Sequence, residues 1–442
     1  MLKQKNIILS LFLFLLITSF MIANPFYVNA SEQYDNTEIR VLVWRDAHSK
    51  AVKDKVSEFE KETGIDVIID DLPTQSLTQK MAMNLTSKTG KYDIVAVDEP
   101  YVPKFASYFI NYNDWPQPKA MENKVDLSIV PQGAVDAGSW QNEVKGLPIN
   151  ANVYMFTYRK DLINDKDLKR KFKNEYDYEL QTPENLNQLY EIGKFLSDEK
   201  DQFYGWAPFT VKSEGATVEF MWLLRSFGTK ILNDDLEVVL NVDKAVKAID
   251  YYKKLLEISP PSKLSMGHPE TIQNMESGKL FSTLQWPAII AGHENPENSV
   301  VAGKLAYSTN PAGPGGASAI TGVWTLAIPK SSDNKQAAAE FAYWWGSKKS
   351  GRELVEAGMS PMRKDLLKDP ELQKKYPWYQ ALMNNLSEKN AVHRPRFPQY
   401  PKVSDEISTY FSRVISGSME AETAMIELKE NINNIVEEYK NE

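Results

Sequence analysis

The sequence predicts an α/β protein built on parallel sheet, on three observations. Strand and helix patterns alternate between residues 39 and 97, a second such unit opens near residue 148, and the chain from Lys335 onward is patterned almost wholly as helix. At 442 residues, two or three domains are expected. Ile39–Val43 reads as a buried strand, and Val52, Val56 and Phe59 fall at helical spacing before Gly64, a helix stop. Ile65–Ile69 is a second strand, Leu77, Met81 and Leu85 mark a second helix, and Tyr92–Val97 is a third strand. Such a βαβαβ unit has right-handed crossovers, and its ligands bind beyond the carboxyl ends of the strands. That edge carries Trp44, Arg45 and Asp46 after the first strand, and Asp98, Glu99 and Pro100 after the third.

The second unit follows the break Gly146-Leu147-Pro148, with a strand at Val153–Tyr158 and a helix opened by Thr182-Pro183-Glu184, Thr as cap and Pro at the first helical position. Helices are expected near 218–227 and 243–258, and a strand at Leu280–Gln285 ending in Trp286-Pro287. A Pro/Gly-rich loop spans 310–316, a strand covers Thr325–Ile328, and Ile407, Phe411 and Val414, then Met425, Leu428 and Ile432, form the core-facing stripes of the last helices.

Composition removes several classes of function. With no cysteine there is no disulfide scaffold, cysteine zinc site, iron–sulfur cluster or thiol nucleophile. With 51 basic and 59 acidic side chains and no long Lys/Arg run, a nucleic-acid-binding face is not expected. The four histidines are dispersed without metal-ligand spacing, and Gly313–Gly316 lacks the lysine of a phosphate loop and precedes a strand. No cofactor is expected. The first thirty residues carry Lys3 and Lys5, an uncharged apolar run Ile7–Ile22, and Val28-Asn29-Ala30, the three parts of a secretory signal peptide; an uncleaved N-terminal anchor is the alternative. Losing residues 1–30 takes the net charge from −8 to −10.

What the chain is rich in is aromatic rings, with 10 Trp and 21 Tyr. Trp44, Trp140, Trp206, Trp286 and Trp324 occur where elements end, whereas Trp222, Trp344 and Trp345 lie within helical patterns and are assigned to the core. The C–H faces of a sugar pack on indole, while its hydroxyls need acids, amides or arginine around the rim.

Phe59–Val67 and Tyr92–Val95 followed by Asp98 resemble the opening of the extracellular solute-binding proteins of carbohydrate ABC importers, the maltose-binding-protein-like family. Gly146-Leu147-Pro148, Tyr158–Leu162, Thr182–Leu186, Tyr204-Gly205, Gly322–Pro329, Pro361-Met362-Arg363 and Arg394-Pro395 continue the resemblance in order across residues 38–436. The resemblance implies a two-lobe periplasmic-binding-protein fold of type II: lobe I from 31–147 and 311–357, lobe II from 148–310 and 358–442. It implies a monomeric, exported receptor, periplasmic or at the outer cell surface, that binds a carbohydrate in the cleft and delivers it to membrane permease subunits without catalysis. The ligand positions it implies are Trp44, Asp46, Asp98, Glu99, Asn150, Asn152, Trp206, Trp286, Trp324 and Arg363. The family's cysteine after the signal peptide is absent, and Gly322-Val323-Trp324 replaces the usual Gly-Gly before the aromatic. The alternatives are a receptor for a polyol or another non-sugar solute and an exported glycoside hydrolase, which would need two inward carboxylates at a set separation.

Overall fold

The computed structural model describes residues 34, 36–119, 124–387 and 389–441; the expected signal peptide lies outside them. Strand β1 (Thr37–Trp44) leads into helix α1 (Ala47–Thr63), which starts earlier than its apolar spacing indicates because Asp46 caps it, accepting hydrogen bonds from the backbone N–H groups of His48 and Ser49. Gly64 ends the helix at φ 77°, a left-handed conformation that costs glycine little. Strand β2 (Ile65–Leu72), helix α2 (Thr74–Ser87) and strand β3 (Ile94–Asp98) complete the βαβαβ unit, with β1 parallel to both β2 and β3. Strand β3 begins two residues later than expected, since the Asp93 carboxylate is engaged by Arg40 N–H and the Ser332 hydroxyl.

A short helix α3 (Gln132–Ala137) precedes the hairpin of β4 (Ser139–Trp140) and β5 (Glu143–Val144), and β6 (Leu147–Pro148) returns to the first sheet. The second sheet contains β7 (Met155–Arg159), β8 (Tyr204–Trp206), β9 (Leu280–Gln285) and β10 (Leu305–Ser308), in the order β10-β7-β9-β8. Between β7 and β8 the helix Leu186–Leu196 is capped by Asn185, not Thr182, because the Thr182 hydroxyl is taken by Tyr158. The helix Leu186–Leu196 packs on β8 and β9, helices α4 (Glu214–Ser226) and α5 (Val242–Glu257) pack on each other, and α6 (Pro287–His293) follows Trp286. Strand β11 (Ala319–Ile320) pairs with β13 (Ala391–Val392), while β12 (Trp324–Ala327) inserts into the first sheet, whose order is β2-β1-β3-β12-β6. Helices α7 (Tyr400–Ile415) and α8 (Ala421–Asn441) end the chain.

Two large apolar cores result. One unites Val41, Phe59 and Val97 with Leu326, Phe341 and Trp345; the other unites Phe156, Trp222 and Tyr252 with Phe411 and Leu428. Trp222, Trp344 and Trp345 are buried, as their helical spacing indicates.

Candidate ligand-binding site

β12 runs antiparallel to β3 with Trp324 opposite Asp98, so the start of β12 lies at the carboxyl ends of β1 and β3. This register brings Trp44 and Trp324 together: their rings stack at 4.4 Å between centroids and 15° between planes. The His48 ring lies 5.3 Å from Trp44 and is held by the Asp46 carboxylate, 2.8 Å from Nδ1. Burial works to raise the Asp46 pKa, but the neighbouring His48 outweighs it and holds the carboxyl below its ordinary value.

The two asparagines act on the backbone of this edge. Asn150 Oδ1 accepts from Trp324 N–H at 2.8 Å, and Asn152 Nδ2 donates to the Gly322 carbonyl at 2.7 Å. Position 322 admits only glycine, because a Cβ there would come within 2.6 Å of the Trp286 ring and 2.9 Å of Asn152 Nδ2. Trp286, at the end of β9, packs in turn on Tyr154 with centroids 5.1 Å apart. Trp44, Trp324, Trp286, Asn150 and Asn152 therefore form one connected group at the strand ends of both sheets.

Asp98 and Glu99 join this group from β3, and both meet Arg394. The guanidinium grips Asp98 with Nη1 at 2.9 Å from Oδ2 and Nη2 on Oδ1, and also reaches Glu214 at 3.1 Å. Glu214 opens α4 and accepts from the Tyr400 hydroxyl and from Ser404 Oγ at 2.6 Å, both on α7. Tyr101, just beyond β3, meets Tyr400 edge-to-face at 5.9 Å. Arg394 thus ties the strand ends of the first core to two helices of the second. Its side chain is 3% exposed and those of Asp98 and Glu99 are 7% and 0% exposed.

The two acids are shifted in opposite directions. Burial pushes the Asp98 carboxyl up to about 6 against the pull of Arg394. Burial acts on Glu99 in the same sense but is overcome: His393, Arg394 and Thr321 hold it at about 2, with the Thr321 hydroxyl at 2.8 Å and the Val323 and Arg394 N–H groups at 3.2 and 3.3 Å. His393 is raised above its ordinary value by Glu99, although its own burial opposes this.

Two of the ten expected positions stand apart. Trp206 has no exposed surface and stacks on Trp222 under α4. Arg363 forms a two-point ion pair with Asp365, both contacts 2.9 Å. Sequence reasoning passed over Arg394, His393, Glu214 and Tyr400. Arg394-Pro395 was present as a motif, but its partners Asp98 and Glu214 lie 296 and 180 residues away.

A cavity of about 830 Å³ opens on the far side of Arg394, between the α3–β4–β5 segment and the end of α4. His393, Arg394 and Arg396 line it, but none of the ten expected positions does. The strand-end group is therefore the better candidate for the solute, because aromatic faces and polar rim converge there. Among the described residues no group of side chains could hold a metal ion, and no helix is long and apolar enough to cross a membrane.

The sequence pattern of the bacterial extracellular solute-binding proteins matches residues 46–352, which include the second sheet, every strand of the first except β1, and the site residues Asp98, Glu99, Asn150, Asn152, Trp286 and Trp324. The chain belongs to that family. Among relatives of this solute-binding protein is a probable amino-acid ABC transporter periplasmic-binding protein of Sinorhizobium fredii, 25% identical over 374 residues, 82% of this chain and 81% of the relative. Among solved structures, a solute-binding protein of Agrobacterium radiobacter in complex with ribitol superposes with a TM-score of 0.80 at 24% identity, covering 91% of this chain and 99% of the other. The maltose-bound MalE3 of T. maritima superposes with a TM-score of 0.78 at 22% identity, covering 90% and 100%. The fold is the two-lobe, type II architecture of these proteins.

Proposed function

We propose that this solute-binding protein is the extracytoplasmic receptor of an ABC importer, that it takes a small carbohydrate or polyol at the strand-end group, and that it closes two lobes around the solute to present it to permease subunits. The observation that carries this reading is the convergence of stacked Trp44 and Trp324, Trp286, and the Asp98–Arg394–Glu214 cluster at one edge. Indole faces suit the C–H surface of a sugar or reduced sugar, and carboxylates beside a guanidinium suit vicinal hydroxyls. The ribitol and maltose held by the two superposed structures support the ligand class.

In this reading lobe I comprises residues 31–147 and 311–357, and lobe II residues 148–310 and 358–442. Asp98 and Glu99 belong to the first and Glu214 and Tyr400 to the second, so a solute that bonds to both sides favours the closed form by its differential affinity. No chemical step is assigned. Asp98 is committed to Arg394, and Glu99 to Thr321 and the Val323 N–H, which leaves neither free as the acid or nucleophile of a hydrolase. The N-terminal segment directs export, and the working receptor is a monomer.

One observation favours a second solute class. A guanidinium beside carboxylates would also receive the two charges of an amino acid, the ligand class in the name of the Sinorhizobium relative. Native mass spectrometry of protein purified from rich medium, followed by calorimetric titration of sugars, polyols and amino acids, separates the two. Saturable binding of a sugar or polyol with none of amino acids is the expected result; the reverse pattern replaces the proposal.

A further inference from the structure

The cavity beyond Arg394 has walls from both cores. One wall is α3 with the β4–β5 hairpin, including Trp140; the other is the end of α4 and the loop that follows it, including Arg225 and Lys230; Arg396 stands between them. At about 830 Å³ it lies within the range of small-molecule sites.

Its charges are unevenly matched. Arg394 is neutralised by Asp98, Glu99 and Glu214. Arg225, Lys230 and Arg396 have no carboxylate within ion-pair distance among the described residues. Arg396 is the most telling of the three. It is half-buried, it donates to the Ser139 carbonyl, and its Nε is buried with no acceptor among the described residues. Burial lowers its pKa, while Glu99 and Asp136 counteract this only from a distance. Asp136 and Asp234 also line the cavity, but both are exposed, and Asp136 accepts a hydrogen bond from Gln132. A guanidinium held partly out of water without a paired anion is costly, and an oxyanion admitted to the cavity that Arg396 lines would relieve that cost.

We infer that this cavity is a second binding site, separate from the solute site, for a small multiply charged oxyanion such as the phosphate group of a metabolite. Arg396 grips the anion, Arg225 and Lys230 close on it from the α4 side, and Trp140 lies alongside.

The test uses the full mature chain with inorganic phosphate and pyrophosphate as probes, read by calorimetry and by tryptophan fluorescence, against sodium chloride at equal ionic strength. Both probes should bind saturably with one-to-one stoichiometry, pyrophosphate the more tightly. R396Q should weaken binding at least tenfold, and its melting temperature without phosphate should not fall, since an unpaired cation is removed from the interior. The double variant R225Q/K230Q, altered at two partly exposed positions, should weaken binding severalfold and decides the matter if R396Q does not fold. Responses no larger than those to sodium chloride, or binding unchanged in the variants that fold, would overturn the site.

Discussion

Glu99 and Glu219 are both completely shielded from solvent, yet they hold opposite charge states. Glu99, at the end of β3, has a histidine, an arginine and three hydrogen-bond donors around it and is held at about 2. Glu219, on α4 inside the second core, meets the hydroxyls of Tyr154 at 2.9 Å and Tyr252 at 3.0 Å and the backbone of Phe209 but no cation among the described residues, and burial pushes it up to about 8. Burial alone does not decide whether an acid is charged; the partners brought to it do. Glu219 inside the second core is shifted toward its neutral form, whereas Asp98, Glu99, Glu214 and Arg394 gather charge where the two cores meet. That concentration suits a site that must grip polar solutes and part again.

Removing the cation at the junction should have the largest effect. Arg394→Met leaves Asp98 and Glu99 buried without their guanidinium, which costs about 3 to 5 kcal/mol. Urea unfolding of the variant should show this as a lowered midpoint together with loss of solute binding. A variant as stable as the parent would mean that the junction is not the charged centre described here.

Next come the aromatic plates. Trp324→Ala and Trp286→Ala each remove a ring from the solute, worth about 1 to 3 kcal/mol, or ten- to a hundredfold in affinity by calorimetric titration. Unchanged affinity in either would take that ring out of the site.

The contrast between the two glutamates is sharpened by pH. Because the Glu219 pKa is raised from 4.5 to about 8, its contribution to stability is fully present below pH 4.5 and is lost as pH rises through 8. Glu219→Gln should therefore match the parent near pH 5 and gain on it by pH 9. Glu99 has the opposite sign: held at about 2, it contributes stability above pH 4.5 that is lost as pH falls toward 2. Thermal melts from pH 2 to 9 should bring both variants to the parent at the acid end and part them from it in opposite directions as pH rises, Glu99→Gln falling below it above pH 4.5 and Glu219→Gln rising above it by pH 9; departures in the same direction would refute the assignment.

How much of this was legible in the sequence depends on the distance over which the physics acts. The βαβαβ unit was readable because Val52, Val56 and Phe59, or Leu77, Met81 and Leu85, repeat within a few residues. Trp44 and Asp98 were readable as strand-end residues for the same reason. Trp206 also ends a strand, but the helix that begins at Glu214 lays Trp222 over it, a contact that no local pattern announces. Arg394 is the extreme case. Arg394-Pro395 belongs to the family resemblance, but nothing around it in the chain names its partners, and its role exists only once β3, α4 and α7 are assembled. The cap at Asn185 in place of Thr182 is a smaller instance, decided by a hydroxyl from β7.

The central claim is that one solute engages residues of both cores and draws the lobes together. Small-angle X-ray scattering of the mature protein, with and without the solute identified by mass spectrometry, tests it most directly. A smaller radius of gyration on saturation is the predicted result. Saturable binding with an unchanged radius would contradict it and leave a rigid, preformed pocket in its place.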